Sequence, residues 1–335
     1  MSRAAVLSLA CYVFSSGLLC AQTAAELVLP IAFRIENPAA VDQDDHCVWY
    51  NETKPDESRI VCSDKSANRV FVYDMRGGLK QTLTISKPGN IDCRNAVKVP
   101  SGGTVDVIVV NERDVRPALH VYVMDREKGV LIEQEEVILT GENYGGCLSY
   151  DQKDSALYAV ITSKSGVIEQ YHIEFEGGVA KGTKARSWMI GYCEGAVADD
   201  STGDLFIAEE DGIIWKLGAA VESRTPGEAL GRVGELGLVG NLEGMSLIRP
   251  SESQSNYVVV SDQGRNKYVV LTTTVPATKV LEFGIEQGTH TDGIEICQRN
   301  LGPQFPEGIM IVHTDNDKKQ PIVVDLRELL KHLQK

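Results

Sequence analysis

The chain has 335 residues and carries 47 Asp and Glu against 33 Lys and Arg, a formal net charge of −14. Lacking a basic excess, it is not built to neutralise a nucleic-acid backbone or to be held on anionic lipid by basic residues. Apolar residues make up 43% and charged residues 24%, the composition of a chain that buries a large core without metals or disulfides.

Arg3, an apolar run from Ala4 to Leu19 and the small residues around Leu19-Cys20-Ala21 have the form of a secretory signal peptide. Residues 1–21 are therefore expected to be a signal peptide and 22–335 a single domain, secreted to an extracellular or periplasmic space. No later stretch is apolar enough for a membrane span. Beyond residue 21 stand Cys47, Cys62, Cys93, Cys147, Cys193 and Cys297. Cys47 and Cys62 flank a hairpin-like loop and are the expected pair if a disulfide forms. Asn51-Glu-Thr53 is a weak glycosylation sequon.

One pattern then recurs six times: an apolar β-rich run, a polar break, and a second β-rich run. The repeats start at Arg59, Val105, Ala156, Asp204, Asn256 and Gly308, spaced by 46 to 52 residues. A period near 50 with several strands per unit predicts an all-β, six-bladed β-propeller. A further strand is expected before each repeat, led in by a short turn: Asp44-Asp45, Asn90-Ile-Asp92, Tyr144-Gly-Gly, Glu194-Gly195, Glu243-Gly244 and Asp292-Gly293. The sixth unit lacks a fourth strand, and Leu27 to Ile35 is strand-like with no unit of its own. That N-terminal strand is expected to complete the last blade and close the ring, removing sheet edges. The helix signal is short and C-terminal, at Asp325 to Leu330.

In a propeller, equivalent turns share one face, so these carboxylates converge on one channel mouth. Like charges held this close repel unless cations sit among them. Oxygen ligands on rigid turns, without clustered His or Cys, suit Ca²⁺. Lys65, Arg113 and Lys164 occupy the corresponding break in units one to three, whereas units four and five are acidic there. A face split in this way suits a polyanion held partly by metal and partly by Lys and Arg.

The residues resemble those of the β-propeller phytases, calcium-dependent phosphatases of phytate (myo-inositol hexakisphosphate). The resemblance spans residues 40 to 330 and rests on Asp44-Asp45-His-Cys-Val-Trp49, Gly89-Asn90-Ile-Asp92-Cys-Arg94, Asn111-Glu-Arg113, Tyr144-Gly-Gly-Cys-Leu148, Ser163-Lys164-Ser-Gly166, Glu194-Gly-Ala-Val-Ala-Asp-Asp200, Ile207-Ala-Glu-Glu-Asp211, Ser261-Asp-Gln-Gly264 and Thr291-Asp-Gly-Ile294. It implies a phosphoric monoester hydrolase of 3-phytase type, with adjacent cleavage and binding sites for two phosphates. It implies several calcium ions on Asp44, Asp45, Asp92, Glu194, Glu210, Glu243, Glu286 and Asp292. Lys65, Arg113, Tyr144, Lys164 and Arg94 would contact phosphates. Glu194, Tyr144 and Lys65 would serve catalysis, in which a metal-activated water attacks phosphorus without a phosphoenzyme. The implied partner is a small molecule, calcium-phytate, met by a monomer with no nucleic acid and no membrane.

Departures from the family pattern are His46-Cys47 for Pro-Ala, Ser66 for a second lysine, Asn241 for an aspartate and Glu286 for a calcium-binding aspartate. They bear on calcium affinity and on the second phosphate site rather than on the reaction class. Arg-His-Gly, Cys-x₅-Arg, GxSxG and Walker signatures are absent. Two alternatives stand beside the phytase reading. One is another calcium-dependent propeller hydrolase, lactonase-like, which needs no Lys/Arg arc. The other is a non-catalytic extracellular binding propeller, left open by Ser66 and Asn241.

Overall fold

The computed structural model describes residues 26–114, 116–251, 255–290, 292–315 and 319–333; the expected signal peptide lies outside them. The strands form six sheets arranged as six blades. The inner strands are Gln43–Trp49, Pro88–Lys98, Gly146–Asp151, Cys193–Asp199, Leu242–Ile248 and Ile294–Cys297. The second strands begin at Arg59, Thr104, Ala156, Asp204, Tyr257 and Ile309, within one residue of the repeat starts read from sequence.

The core lies between blades rather than within them. Six apolar clusters fill the six interfaces between neighbouring blades. A strand in such a ring is covered on both faces, so its apolar run need not alternate. Val107 and Val109 pack toward blade three, while Ile108 and Val110 pack toward blade one. That is why the second strands read as continuous Val/Ile runs.

The N-terminal stretch closes the ring by dividing its work. Phe33–Arg34 is the outermost strand of blade six, pairing antiparallel with Ile322–Asp325. Val28–Leu29 adds a parallel fifth strand to blade five, opposite Gly284 and Ile285. The short helix Arg327–Leu333 buries Leu329, Leu330 and Leu333 in the cluster between blades five and six.

One local expectation is corrected, and one weak motif finds a structural role. Cys47 and Cys62 do not pair; all six described cysteines are free thiols. Cys62 lies opposite His46, and Cys47 opposite Val61, so the period-two pleat turns the two cysteines to opposite faces. Cys47 packs between blades one and two, Cys62 between blades six and one. Asn51 is buried, and its amide oxygen accepts bonds from the Thr53 amide, the Thr53 hydroxyl and the Lys54 amide. That sequon serves a turn.

Candidate active site

The expected turns at the channel mouth are mostly β-bulges inside the first residues of the inner strands. The ladder slips at Gln43/His46, Pro88/Ile91, Cys193/Ala196 and Leu242/Met245. A bulge releases residues from the ladder and re-aims their side chains. Here it frees Asp44-Asp45, Glu194-Gly195 and Glu243-Gly244 to face the axis.

Glycine then sets the separation between blades. A Cβ on Gly145 would collide with the Glu194 carbonyl oxygen, and one on Gly195 with that of Glu243. A Cβ on Gly244 would lie 2.5 Å from the Asp292 carbonyl oxygen. The Gly244 and Gly293 amides donate to the carbonyls of Asp292 and Asp44 at 3.0 and 3.3 Å. Neighbouring bulges therefore meet backbone to backbone, and their carboxylates are drawn together.

The result is a triad of buried acids. Carboxylate oxygens of Glu194, Glu210 and Glu243 all lie within 4.8 Å of one another. Each of these residues is at most 7% exposed. Among the described residues Glu210 Oε1 and Glu243 Oε2 have no hydrogen-bond partner. Burial, and then the neighbouring Glu194, pushes the Glu243 carboxyl up to about 11 and the Glu210 carboxyl to about 7. Glu194 is raised as well, by burial and only partly offset by Arg113. Three buried carboxylates with converging oxygens, two of them also carrying an unpartnered oxygen, fit a hard divalent cation.

Cations occupy the opposite side. Arg113 bridges Asp44 and Glu194, reaching the latter at 3.4 Å. Lys65 lies 2.5 Å from Asp44 and 3.4 Å from Asp292. Burial alone would raise the Asp44 carboxyl, but Arg113 and Lys65 outweigh it and hold Asp44 well below the usual range. Asp45 and Asp292 are raised, chiefly by burial. The Lys164 ammonium is exposed and sits 4.2 Å from the centre of the Tyr144 ring. Burial and then Glu194 push the Tyr144 phenol far up, so its hydroxyl stays protonated and able to donate.

Three of the expected site residues lie elsewhere. Asp92 stands beyond the bulge on its inner strand and lines the channel. One of its oxygens takes the Leu148 amide of blade three at 2.7 Å, and the other takes Arg94 at 2.8 Å. Arg94 also binds Asp200 at 2.6 Å. Asp92 and Arg94 thus tie blades together inside the channel and do not join the mouth cluster. Glu286 directly follows the strand Lys279–Ile285 and is exposed, and it is not one of the three buried acids whose oxygens converge. The acids closing the second strands also have structural work: Asp64 binds the Val41 and Asp42 amides, and Asp262 binds those of Val239 and Gly240.

The structure adds residues that were not singled out. Tyr192 packs against Tyr144 with the rings tilted and their centroids 5.6 Å apart, and it stands beside Glu210, whose carboxyl it pulls down against the effect of burial. It directly precedes the Cys193-Glu194-Gly195 motif, which was its signal. His313 is buried, accepts the Asp292 amide at Nδ1 (3.2 Å) and places Nε2 3.4 Å from Asp42. It follows the second strand of blade six, as Lys65 and Arg113 follow theirs. His46 is pushed down to about 4, first by burial and then by His313, so it is a neutral structural group.

With this geometry in place, comparison with known proteins adds the family. A family model described as Phytase matches residues 5–327. The chain is 32% identical over 282 residues to a 3-phytase of Bacillus subtilis (strain 168), covering 80% of this chain and 73% of that protein. In fold it is similar to regucalcin from Agrobacterium tumefaciens, described as a calcium-binding protein. The TM-score is 0.55 and the identity 11%, over 89% of this chain and 95% of that one. The bulged carboxylates, the Lys/Arg arc and the six-bladed ring are therefore those of a chain that belongs to the phytase family.

Proposed function

We propose that this phosphoric monoester hydrolase is a calcium-dependent phytase, with Glu194, Glu210 and Glu243 holding a calcium ion and Asp44, Asp45 and Asp292 adjoining it. The observation that carries this reading is the juxtaposition of an unsatisfied carboxylate triad with Lys65, Arg113 and Lys164 across one channel mouth. Calcium, when bound, would supply positive charge that draws phosphate oxygens and acidifies a nearby water. Everything else falls to side chains. Arg113 and Lys65 present N–H donors to phosphate oxygens and, in their absence, are occupied by Asp44. Tyr144 donates its phenolic proton to a phosphate oxygen, and Lys164, seated over that ring, adds charge at the rim. Glu194 faces both the triad and Arg113, so it sets the distance between cation and phosphate. Removing Lys or Arg from this arc would leave a calcium site of lactonase-like type; their presence favours a polyanionic substrate. We infer export from the pattern of residues 1–21, and action as a monomer.

Phosphate release from phytate, measured in calcium and after chelation, tests the proposal. Release in calcium, loss on chelation and recovery on calcium addition are expected. Release that survives chelation would remove the metal, and no release from folded, calcium-loaded protein would remove phytate hydrolysis. In the same assay Glu194→Gln should lose about 100-fold or more in kcat with an unchanged fold.

A further inference from the structure

The inner strands of blades one and two run side by side in a fixed register. Asp45 accepts the Ile91 amide at 3.1 Å, the Cys93 thiol meets the Val48 carbonyl at 3.1 Å, and the Asn95 amide meets the Tyr50 carbonyl at 2.7 Å. Cys93 therefore faces blade one. Cys47 faces blade two from the other side, buried among Trp49, Val61, Ile91 and Ile108 in the cluster against which Cys93 packs. Burial, and then the neighbouring Cys93 thiol, pushes the Cys47 thiol well above the usual range. Access is one-sided: Cys93 is partly exposed and lines the channel cavity, about 210 Å³ in volume, whereas Cys47 is sealed. Cys297 also lies near the channel, but it packs between blades six and one.

We propose that Cys47 and Cys93 are a disulfide-forming pair that staples the inner strands of blades one and two when the protein meets a small disulfide oxidant such as oxidised glutathione. Cys93, reached through the channel, gives up its proton and attacks one sulfur of the oxidant, releasing one glutathione thiol. Cys47 gives up its proton and displaces the second glutathione from the mixed disulfide. Two electrons and two protons leave the protein, and one glutathione disulfide becomes two glutathione thiols. The staple joins segments far apart in sequence, so it constrains the unfolded chain strongly. It also anchors the strand that carries Asp44 and Asp45 to its neighbour.

The test is independent of catalysis. The full chain is equilibrated, folded, in oxidised or reduced glutathione buffer, alkylated under denaturing conditions and digested with trypsin. Lys54 and Lys87 precede prolines and resist cleavage, so Cys47 falls in peptide 35–59 and Cys93 in peptide 81–94. These two peptides should appear joined in the oxidised sample and separate in the reduced one. Oxidation should raise the thermal midpoint by roughly 5 °C. Cys93→Ser should abolish both effects, and Cys297→Ser should leave both intact. Alkylation of both Cys47 and Cys93 after oxidation, or Cys93 joined to Cys297, would overturn the proposal. Either result leaves the phytase reading untouched, because no step of the test measures activity.

Discussion

Carboxylates that look alike in the sequence divide by what the neighbouring blade offers them. An inner strand of a propeller has no ladder partner toward the axis, so its outward amides need acceptors. Asp45, Asp92 and Asp200 supply them across blade boundaries, to Ile91, Leu148 and Tyr150. Among the described residues Glu210 and Glu243 each retain a buried oxygen with no hydrogen-bond partner, which leaves it available to a cation. Holding three acids together in burial stores repulsion that a ligand relieves. Glu243→Gln should therefore stabilise the metal-free protein, by about 1 kcal/mol, while weakening calcium binding at least about 10-fold. Thermal unfolding in chelator and calcium titration calorimetry check the two halves. A variant less stable than the parent in chelator would show that the acids are not strained.

At the scale of the element, the bulge is the device that makes the site. In a regular strand Glu194 and Gly195 would alternate across the pleat and stay in the ladder. The slip between Cys193 and Ala196 releases both. Glycine next to the acid then admits the following blade's backbone, so acid and glycine work as a pair. Gly195→Ala would force its Cβ onto the Glu243 carbonyl oxygen. It should cost about 2 kcal/mol or more, since backbone gives way less readily than a side chain. It should also reduce activity by separating Glu194 from Glu243. Denaturant midpoints and phosphate release measure the two effects; a neutral Gly195→Ala would mean that the blades are free to move apart.

For the whole molecule, ring closure converts local acidity into pH-dependent stability. The Glu210 carboxyl stands at about 7 in the fold against an ordinary 4.5. Below the ordinary value both folded and unfolded chains carry the proton. Between the two values the folded chain holds more protons, so stability falls as pH rises across that window. Glu243, raised to about 11, extends the fall further. On the proposed reading calcium would replace these protons and should stabilise most where they are hardest to keep. The thermal midpoint in chelator is expected to drop from about pH 5 to about pH 8, and the calcium-induced rise to grow over the same interval. A calcium shift that does not change with pH would speak against proton release on binding. The −14 charge fits the proposed calcium dependence, in which a cation would be bound before a polyanionic substrate approaches.

Much of this was legible in the chain itself. The period near 50, the Val/Ile runs and the turn motifs specified six blades, because covering a strand on both faces demands continuous apolar residues. The order Lys65, Arg113, Lys164 and then Glu210 placed cations in blades one to three and acid in blade four, since equivalent breaks must share a face. The roles of Asp92, Arg94 and Glu286, and the facing of Cys47, were decided only by the tertiary structure. Each depends on what stands across a blade boundary. Asp92 meets a Leu148 amide, Arg94 meets Asp200, and Cys47 meets Cys93 rather than Cys62. Sequence spacing determines the strand and the face of a residue within its own blade. The partner it finds comes from ring closure, which brings together segments 56 and 106 residues apart and leaves no local trace in the chain.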